Sequence, residues 1–431
     1  MEIVAARTAP VELTSLSGLT PLSATTGGAD PQEIYDVLRG RWGVVAPVDM
    51  EPGVPAWLVM GHAEICEITR NESAFSRDPR HWRWHYDGLL SERSALLGIS
   101  PREPRSSSYH HDGEKRRRLR EPLDDGLATL SEKTVVAQVE EVSRRLIDDF
   151  GPDGEADLVA DWSKKVGFLA VTALFGFDHR TADQMMVDSA HIMDHTGEAA
   201  EARDRMGRNL MAHVQNRRAI GGTDLTSAFV RHKSFHDDRE VADSMSVPLI
   251  AASEFLTAWI ALTLRLLLTD ERFAARWAGG RIALDDALDE VLWREAPAAN
   301  PPLPRYAMQD VELDGKLIRK GDALIMAVAA ANQDPLVHTG DMWDEIGNRA
   351  HLAWGVGPHR CPASRQARII ARVAINRLLT ELDLELAVED HELAWVPSPW
   401  VRHPQALPVR YERARSSGTE IYWSARPGGE V

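Results

Sequence analysis

Apolar residues recur at intervals of three and four along most of this chain, and in a few places the interval shortens to two. Residues 31–41 carry the helical spacing. Two apolar runs, 44–50 and 56–60, flank Glu51-Pro52-Gly53-Val54-Pro55 and predict a strand pair with a turn between them. A short helix follows over 62–71, and the stretch from 112 to 235 reads as mostly helical. Residues 247–268 are apolar nearly all round, the mark of a helix buried in the middle of a large domain. A helix from 284 stops at Pro297. The pattern then alternates over 305–328 about a Leu313-Asp314-Gly315 turn, predicting a small sheet. Residues 333–350 are irregular, a last helix spans roughly 362–381, and a strand is expected over 382–388. The predicted class is mainly α with small antiparallel β-sheets. Residues 1–28 read as a loose arm, 29–411 as a single domain and 412–431 as a loose polar tail.

Composition narrows the function. The chain has 431 residues, 44% hydrophobic and 26% charged, as in an ordinary globular protein. A formal net charge of -16 weighs against nucleic-acid binding and against anionic membranes. The apolar run at 247–268 contains Glu254 and Arg265, both costly in lipid, so no membrane span is expected. The start of the chain lacks a basic head followed by an apolar block. The two cysteines, Cys66 and Cys361, do not form a disulfide framework, and a reduced cytoplasmic setting is the simplest reading.

Chemistry concentrates in residues 351–368, around Trp354-Gly355-Val356-Gly357-Pro358-His359-Arg360-Cys361. A thiolate at the start of a helix is stabilised by the free N–H groups and the positive dipole end of that helix. Gly355 and Gly357 let the backbone pass close to a flat ligand, and Trp354 can shield a sulfur from water. A lone cysteine in such a loop is more often inert and buried, which is how Cys66 is read.

This loop resembles the cysteine-ligand loop of the cytochrome P450 family, and the resemblance runs in order along nearly the whole chain. It implies the P450-like fold for the 29–411 domain, haem b as cofactor and Cys361 as the iron ligand. It further implies that haem propionates meet His359, Arg305 and Arg120. Arg116 takes the place of the family's propionate-binding histidine, while Lys115 and Arg117 read as solvated. Residues 332–335 look like the family's Asn-Arg-Asp-Pro segment. Trp354 stands where phenylalanine is usual, and Ala363 where a glycine usually follows the cysteine.

Two departures from the family pattern matter. Residues 251–255 resemble its oxygen-activating stretch, with the acid present as Glu254 but Phe255 in place of the threonine. An acid and a neighbouring hydroxyl form a natural proton relay, and a phenyl ring cannot take part. Thr257 lies about 200° further round a regular helix and should not fill the same space. Secondly, the family's Glu-x-x-Arg becomes Glu290-Val291-Leu292-Trp293. A buried, unpaired carboxylate is expensive, so a substitute partner is expected, either Arg294 or Arg349. The tryptophan and the Trp-Gly-x-Gly-Pro-His loop resemble an actinobacterial, conservon-associated subgroup, whose genes sit beside a sensor-kinase-like protein and a Ras-like GTPase.

The resemblance therefore implies a monooxygenase-like oxidoreductase acting on a small hydrophobic substrate, with Glu254 and Phe255 at the reacting side. A ferredoxin-type donor would dock near Arg360, Arg365 and Arg368, or peroxide would be used directly. The alternative is a haem-binding regulatory or sensing subunit of a GTPase-linked complex with little turnover. A helical binding protein without cofactor would require every motif match to be coincidence.

Overall fold

The computed structural model describes residues 11–28, 30–193, 197–278, 283–334, 336–337 and 348–414. Two hydrophobic clusters organise it. One is helical and gathers around Trp162, Trp259 and Ile260; the other lies under a sheet and gathers around Trp57, Trp82 and Tyr306. The class is mainly α with small sheets, as the spacing of apolar residues predicts.

The predicted strand pair is present as Val45–Glu51 and Val54–Val59, antiparallel, with a register shift between Asp49 and Glu51. It belongs to a six-stranded sheet in the order Thr20–Pro21, Val45–Glu51, Val54–Val59, Ala323–Met326, Arg305–Ala307, Phe75–Ser76. Two pairings in this sheet are parallel: Thr20–Pro21 beside Val45–Glu51, and Val54–Val59 beside Ala323–Met326. That corrects the expectation of antiparallel sheets alone. Parallel neighbours need a long crossover, and the intervening helices supply it. The Leu313-Asp314-Gly315 turn is also found. Asp314 and Gly315 have φ of 49° and 69°, closing the hairpin between Val311–Leu313 and Lys316–Ile318.

Both expected loose ends need correction. Residues 11–28 are packed: Leu13 and Leu22 are buried, Thr20–Pro21 is a sheet strand, and the Thr26 hydroxyl donates to the Ser398 carbonyl. The apolar side chains that dock this arm are too sparse to show a period. At the other end, Pro408–Arg413 is the middle strand of a sheet with Leu382–Leu386 and Asp153–Asp157, so Glu412 and Arg413 belong to the fold. Residues 1–10 and 415–431 of the expected arm and tail lie outside the described residues.

The central helix runs Asp238–Thr269 and is long and apolar enough to cross a membrane, but its apolar window is 61% buried inside the protein. It is regular over Asp238–Ala251 and again over Thr257–Thr269. Between these, Ala252–Leu256 forms a π-turn, a feature that often marks functional positions. Downstream of the turn almost every residue is buried, whereas Ala251, Ser253, Glu254 and Phe255 are only partly so. This stretch of the helix is therefore less closely covered than the turns that follow it.

The start of the central helix is pinned to the helix Gly113–Thr129. Arg118 makes a two-pronged contact with Glu240, 2.7 Å from each guanidinium nitrogen, and the His236 N–H adds a third hydrogen bond. The Arg118 contact chiefly holds the Glu240 carboxyl at about 2, against an ordinary 4.5. A depressed carboxyl contributes stability that is full above its unfolded value and lost as pH falls toward the folded one. Glu240→Gln should therefore unfold at lower urea than the wild type at pH 7. The gap should shrink between about pH 4.5 and pH 2, read by urea midpoints across that range.

Candidate functional site

The cysteine loop is held by backbone geometry on one side and a buried amide on the other. The Cys361 N–H donates to the Trp354 carbonyl at 2.8 Å, and the Gly355 N–H to the Leu352 carbonyl at 2.7 Å. Asn332, fully buried, bridges two elements: its amide N–H donates to the Leu292 carbonyl and its oxygen accepts from the Leu352 N–H, both at 2.8 Å. The segment at 332–334 thereby ties the Leu284–Arg294 helix to the loop. Gly355 and Gly357 adopt φ of 66° and 71°. A Cβ on Gly357 would lie 2.7 Å from the Thr69 carbonyl oxygen, whereas one on Gly355 would meet nothing nearer than 3.9 Å.

Cys361 precedes the helix Ser364–Glu381 by three residues. Burial raises its thiol, opposed by a hydrogen bond from the Ala363 N–H and by the charges of Arg120 and Arg360. These last three favour a thiolate, the form that ligates metal. Trp354 packs edge-on against Trp259 of the central helix, with ring centroids 5.1 Å apart. Cys66 is partly buried against the sheet-side cluster, 3.9 Å from His62 Nδ1.

The cations expected at a haem edge gather near the loop, with partners the sequence did not reveal. Arg305 has a side chain only 2% exposed, and burial next to Arg77 pushes it down to about 9. It reaches the carbonyls of Phe75 and Thr69 at 3.3 and 3.4 Å and Asp112 at 3.6 Å, yet its buried Nε–H has no acceptor among the described residues. His359 Nε2 lies 3.1 Å from Asp112 and 3.2 Å from Glu72. Arg116 contacts Glu72 at 3.1 Å and donates to the Pro358 carbonyl at 2.9 Å. Arg120 pairs with half-exposed Asp124 at 2.7 Å. Lys115 and Arg117 are exposed, as expected.

The altered Glu-x-x-Arg region is fully rebuilt. Glu290 pairs with Arg294 at 3.0 Å, four residues along the same helix, so one of the two expected partners is found without any bending. The other, Arg349, goes instead to Asp289 at 3.1 Å. Asp289 is buried, and besides Arg349 it gathers Arg368 and, at 3.7 Å, His351. Trp293 occupies the arginine's place and donates its indole N–H to the Asn348 carbonyl at 2.9 Å. Arg368 is thus drawn inward, with its guanidinium 5.6 Å from the Trp259 ring, and Arg365 stands 3.7 Å from Glu132. Of the three arginines expected at a docking face, Arg368 is not a surface group.

On the central helix, Glu254 and Phe255 stand within the π-turn. Thr257 is buried, its hydroxyl directed to the Ala252 and Ser163 carbonyls at 3.4 and 3.5 Å, so it does not replace the missing threonine. A hydroxyl pair that sequence reading missed lies beside the turn: Ser253 and Ser189 meet at 2.8 Å, joining the central helix to His179–Met193.

The donor set fits an iron porphyrin. Cys361 offers sulfur beside helix-start N–H groups, and the buried, acceptor-less Arg305 Nε–H suits a carboxylate.

Comparison with known proteins agrees. No family profile matches the chain. A curated relative, cytochrome P450-SOY of Streptomyces griseus, is 30% identical over 425 residues, covering 92% of this chain and 97% of the relative. Cytochrome P450 monooxygenase PikC of Streptomyces venezuelae is 28% identical over 403 residues, covering 90% and 93%. Among solved structures, CYP154A1 of Streptomyces coelicolor A3(2) superposes with a TM-score of 0.76 at 25% identity, covering 91% of this chain and 98% of that one. CYP154C4 of Streptomyces sp. W2061 superposes at 0.81 with the same coverage and 23% identity. The fold and the cysteine loop define a haem-thiolate protein of P450 type. The chain belongs to the cytochrome P450 family, in the class of P450-type monooxygenases.

The two loop glycines should differ in tolerance. Gly357→Ala combines a left-handed φ with a backbone clash and should cost about 2–4 kcal/mol of unfolding free energy. Gly355→Ala meets the strained φ alone and should cost about 1 kcal/mol. Urea denaturation of the two variants side by side gives the comparison.

Proposed function

We propose that this chain binds haem b through Cys361 and oxidises a small organic substrate with electrons from a ferredoxin-type donor. The observation that carries the reading is the cysteine loop: a partly buried cysteine, three residues before a helix, with an N–H and two guanidinium charges favouring its thiolate. Bound there, thiolate-ligated haem iron supplies the activation of dioxygen.

The chain's own residues do the rest. Arg305, Arg120 and His359 orient the cofactor's carboxylates, and Trp354 covers the cysteine side. Glu254 holds a proton at its carboxyl on the reacting side, and residue 255 has no hydroxyl to pass it on. Substrate or water must then complete the path, because general acid catalysis requires hydrogen-bond reach. On the cysteine side, exposed Arg360 and Arg365 are the basic contacts left for a donor protein, since Arg368 is committed to Asp289.

Reduced protein exposed to carbon monoxide should show the strongly red-shifted Soret band of a thiolate-ligated haem. Cys361→Ser should lose that band while staying folded by circular dichroism. A wild-type spectrum without the shift would overturn the assignment. Phe255→Thr should raise the product formed per dioxygen consumed, since a positioned proton donor typically contributes about a hundredfold or more to the rate of the step it serves. An unchanged yield would remove Phe255 from the proton argument. If both proteins consume no dioxygen with reduced ferredoxin present, the reading of the chain as a regulatory haem subunit gains the ground.

A further inference from the structure

We propose that Glu72 and Asp112 are built-in counter-anions at the rim of the haem pocket, competing with the cofactor's own two carboxylates for Arg116, Arg305 and His359. The inference rests on the haem reading above and adds a property to it: the cofactor is held less tightly than the number of cations at its rim implies.

The geometry is direct. One Glu72 oxygen is 3.1 Å from Arg116 Nε and 3.2 Å from His359 Nε2. An Asp112 oxygen is 3.1 Å from the same His359 nitrogen and 3.6 Å from Arg305. The three acceptor and donor atoms of Glu72, Asp112 and His359 all lie within 4.8 Å of one another. Two guanidinium groups therefore face two carboxylates, with the imidazole bridging them, and no net positive charge is left over from those four ions. The same two guanidiniums disfavour a divalent cation between the acids. All five side chains are buried or mostly so, at most 17% exposed, so salt screens these contacts weakly. An incoming pair of carboxylates gains less here than at a rim whose cations are unmatched.

Glu72 is the cleaner residue to test. Asp112 also accepts from the Ser76 hydroxyl at 2.6 Å and the Arg77 N–H at 2.7 Å, so its loss would disturb the neighbouring strand. Glu72 has one further contact, a long one from the Gly113 N–H at 3.4 Å, which glutamine can keep.

The experiment is haem release from the reconstituted full-length protein to excess apomyoglobin, followed in the Soret region. Glu72→Gln should slow release about threefold to fivefold, the effect of removing one partly screened charge at contact distance. Glu72→Ala should move in the same direction. With haem dimethyl ester, whose carboxylates are capped, neither variant should differ from wild type. Release that is unchanged or faster in Glu72→Gln would overturn the proposal and make Glu72 an orienting partner of His359. Equal slowing with the ester would overturn it too, by placing the effect in packing. Failure of the wild type to take up haem would be seen at reconstitution, and would remove the haem reading together with this inference.

Discussion

A buried carboxylate at Asp289 is the constraint on which the placement of the cysteine loop depends. Burial raises its carboxyl, but the hydrogen bond and charge of Arg368 and the charge of Arg349, with His351 close by at 3.7 Å, bring it below the ordinary range. An anion so placed is stable only while its cations are present, and losing one typically costs about 3–5 kcal/mol. The partners come from different parts of the chain. Arg349 and His351 lie at the entry to the loop and Arg368 on the helix that follows it, so meeting at one acid fixes both ends of the loop around Cys361. Arg368 carries the constraint further, since it lies over Trp259, which in turn packs on Trp354, whose carbonyl takes the Cys361 N–H.

This explains how the chain tolerates tryptophan where the family carries arginine. Around this helix the polar contacts are divided among neighbours. Arg294 neutralises Glu290, Asp289 collects the basic groups, and Trp293 contributes an indole donor to the Asn348 carbonyl while filling the space beside His351 at 5.5 Å. Each substitute is ordinary on its own, an i,i+4 pair or a single hydrogen bond. Together they leave the acids on this helix partnered, which is the condition that burial imposes.

The parts of this fold legible in the sequence are those fixed by local rules. The hairpin at 45–59 announces itself by two apolar runs about a Pro-Gly turn, the central helix by an unbroken apolar face, and the cysteine loop by residues at set spacing. The packed arm at 11–28 did not, because its anchors are non-local: Thr20 pairs in parallel with Val48, and Thr26 bonds Ser398 at the far end of the chain. The parallel pairings escaped for the same reason: register between Val54–Val59 and Ala323–Met326 is decided by the whole intervening helical half. At the site, Cys361, His359, Arg305 and Arg120 could be named from motif positions. Glu72 and Asp112 could not, since an acid in a polar segment looks solvated until folding places it against buried cations.

The central helix shows why a substitution in a motif is best judged with its backbone. A π-turn inserts an extra residue into the helical ladder, and it falls on the five residues containing Glu254 and Phe255. The residues after it, including Thr257, are thereby rotated relative to a regular helix, and the Thr257 hydroxyl ends in contact with backbone carbonyls. Counting residues along a regular helix sets Thr257 about 200° from the missing threonine's place but does not say where its hydroxyl goes. The backbone instead commits it to the core and leaves Phe255 and Glu254 at the open face, with the Ser253–Ser189 pair alongside. The polar groups on and beside this turn are thus the Glu254 carboxyl and two bonded hydroxyls, Ser253 on the central helix and Ser189 on the helix His179–Met193.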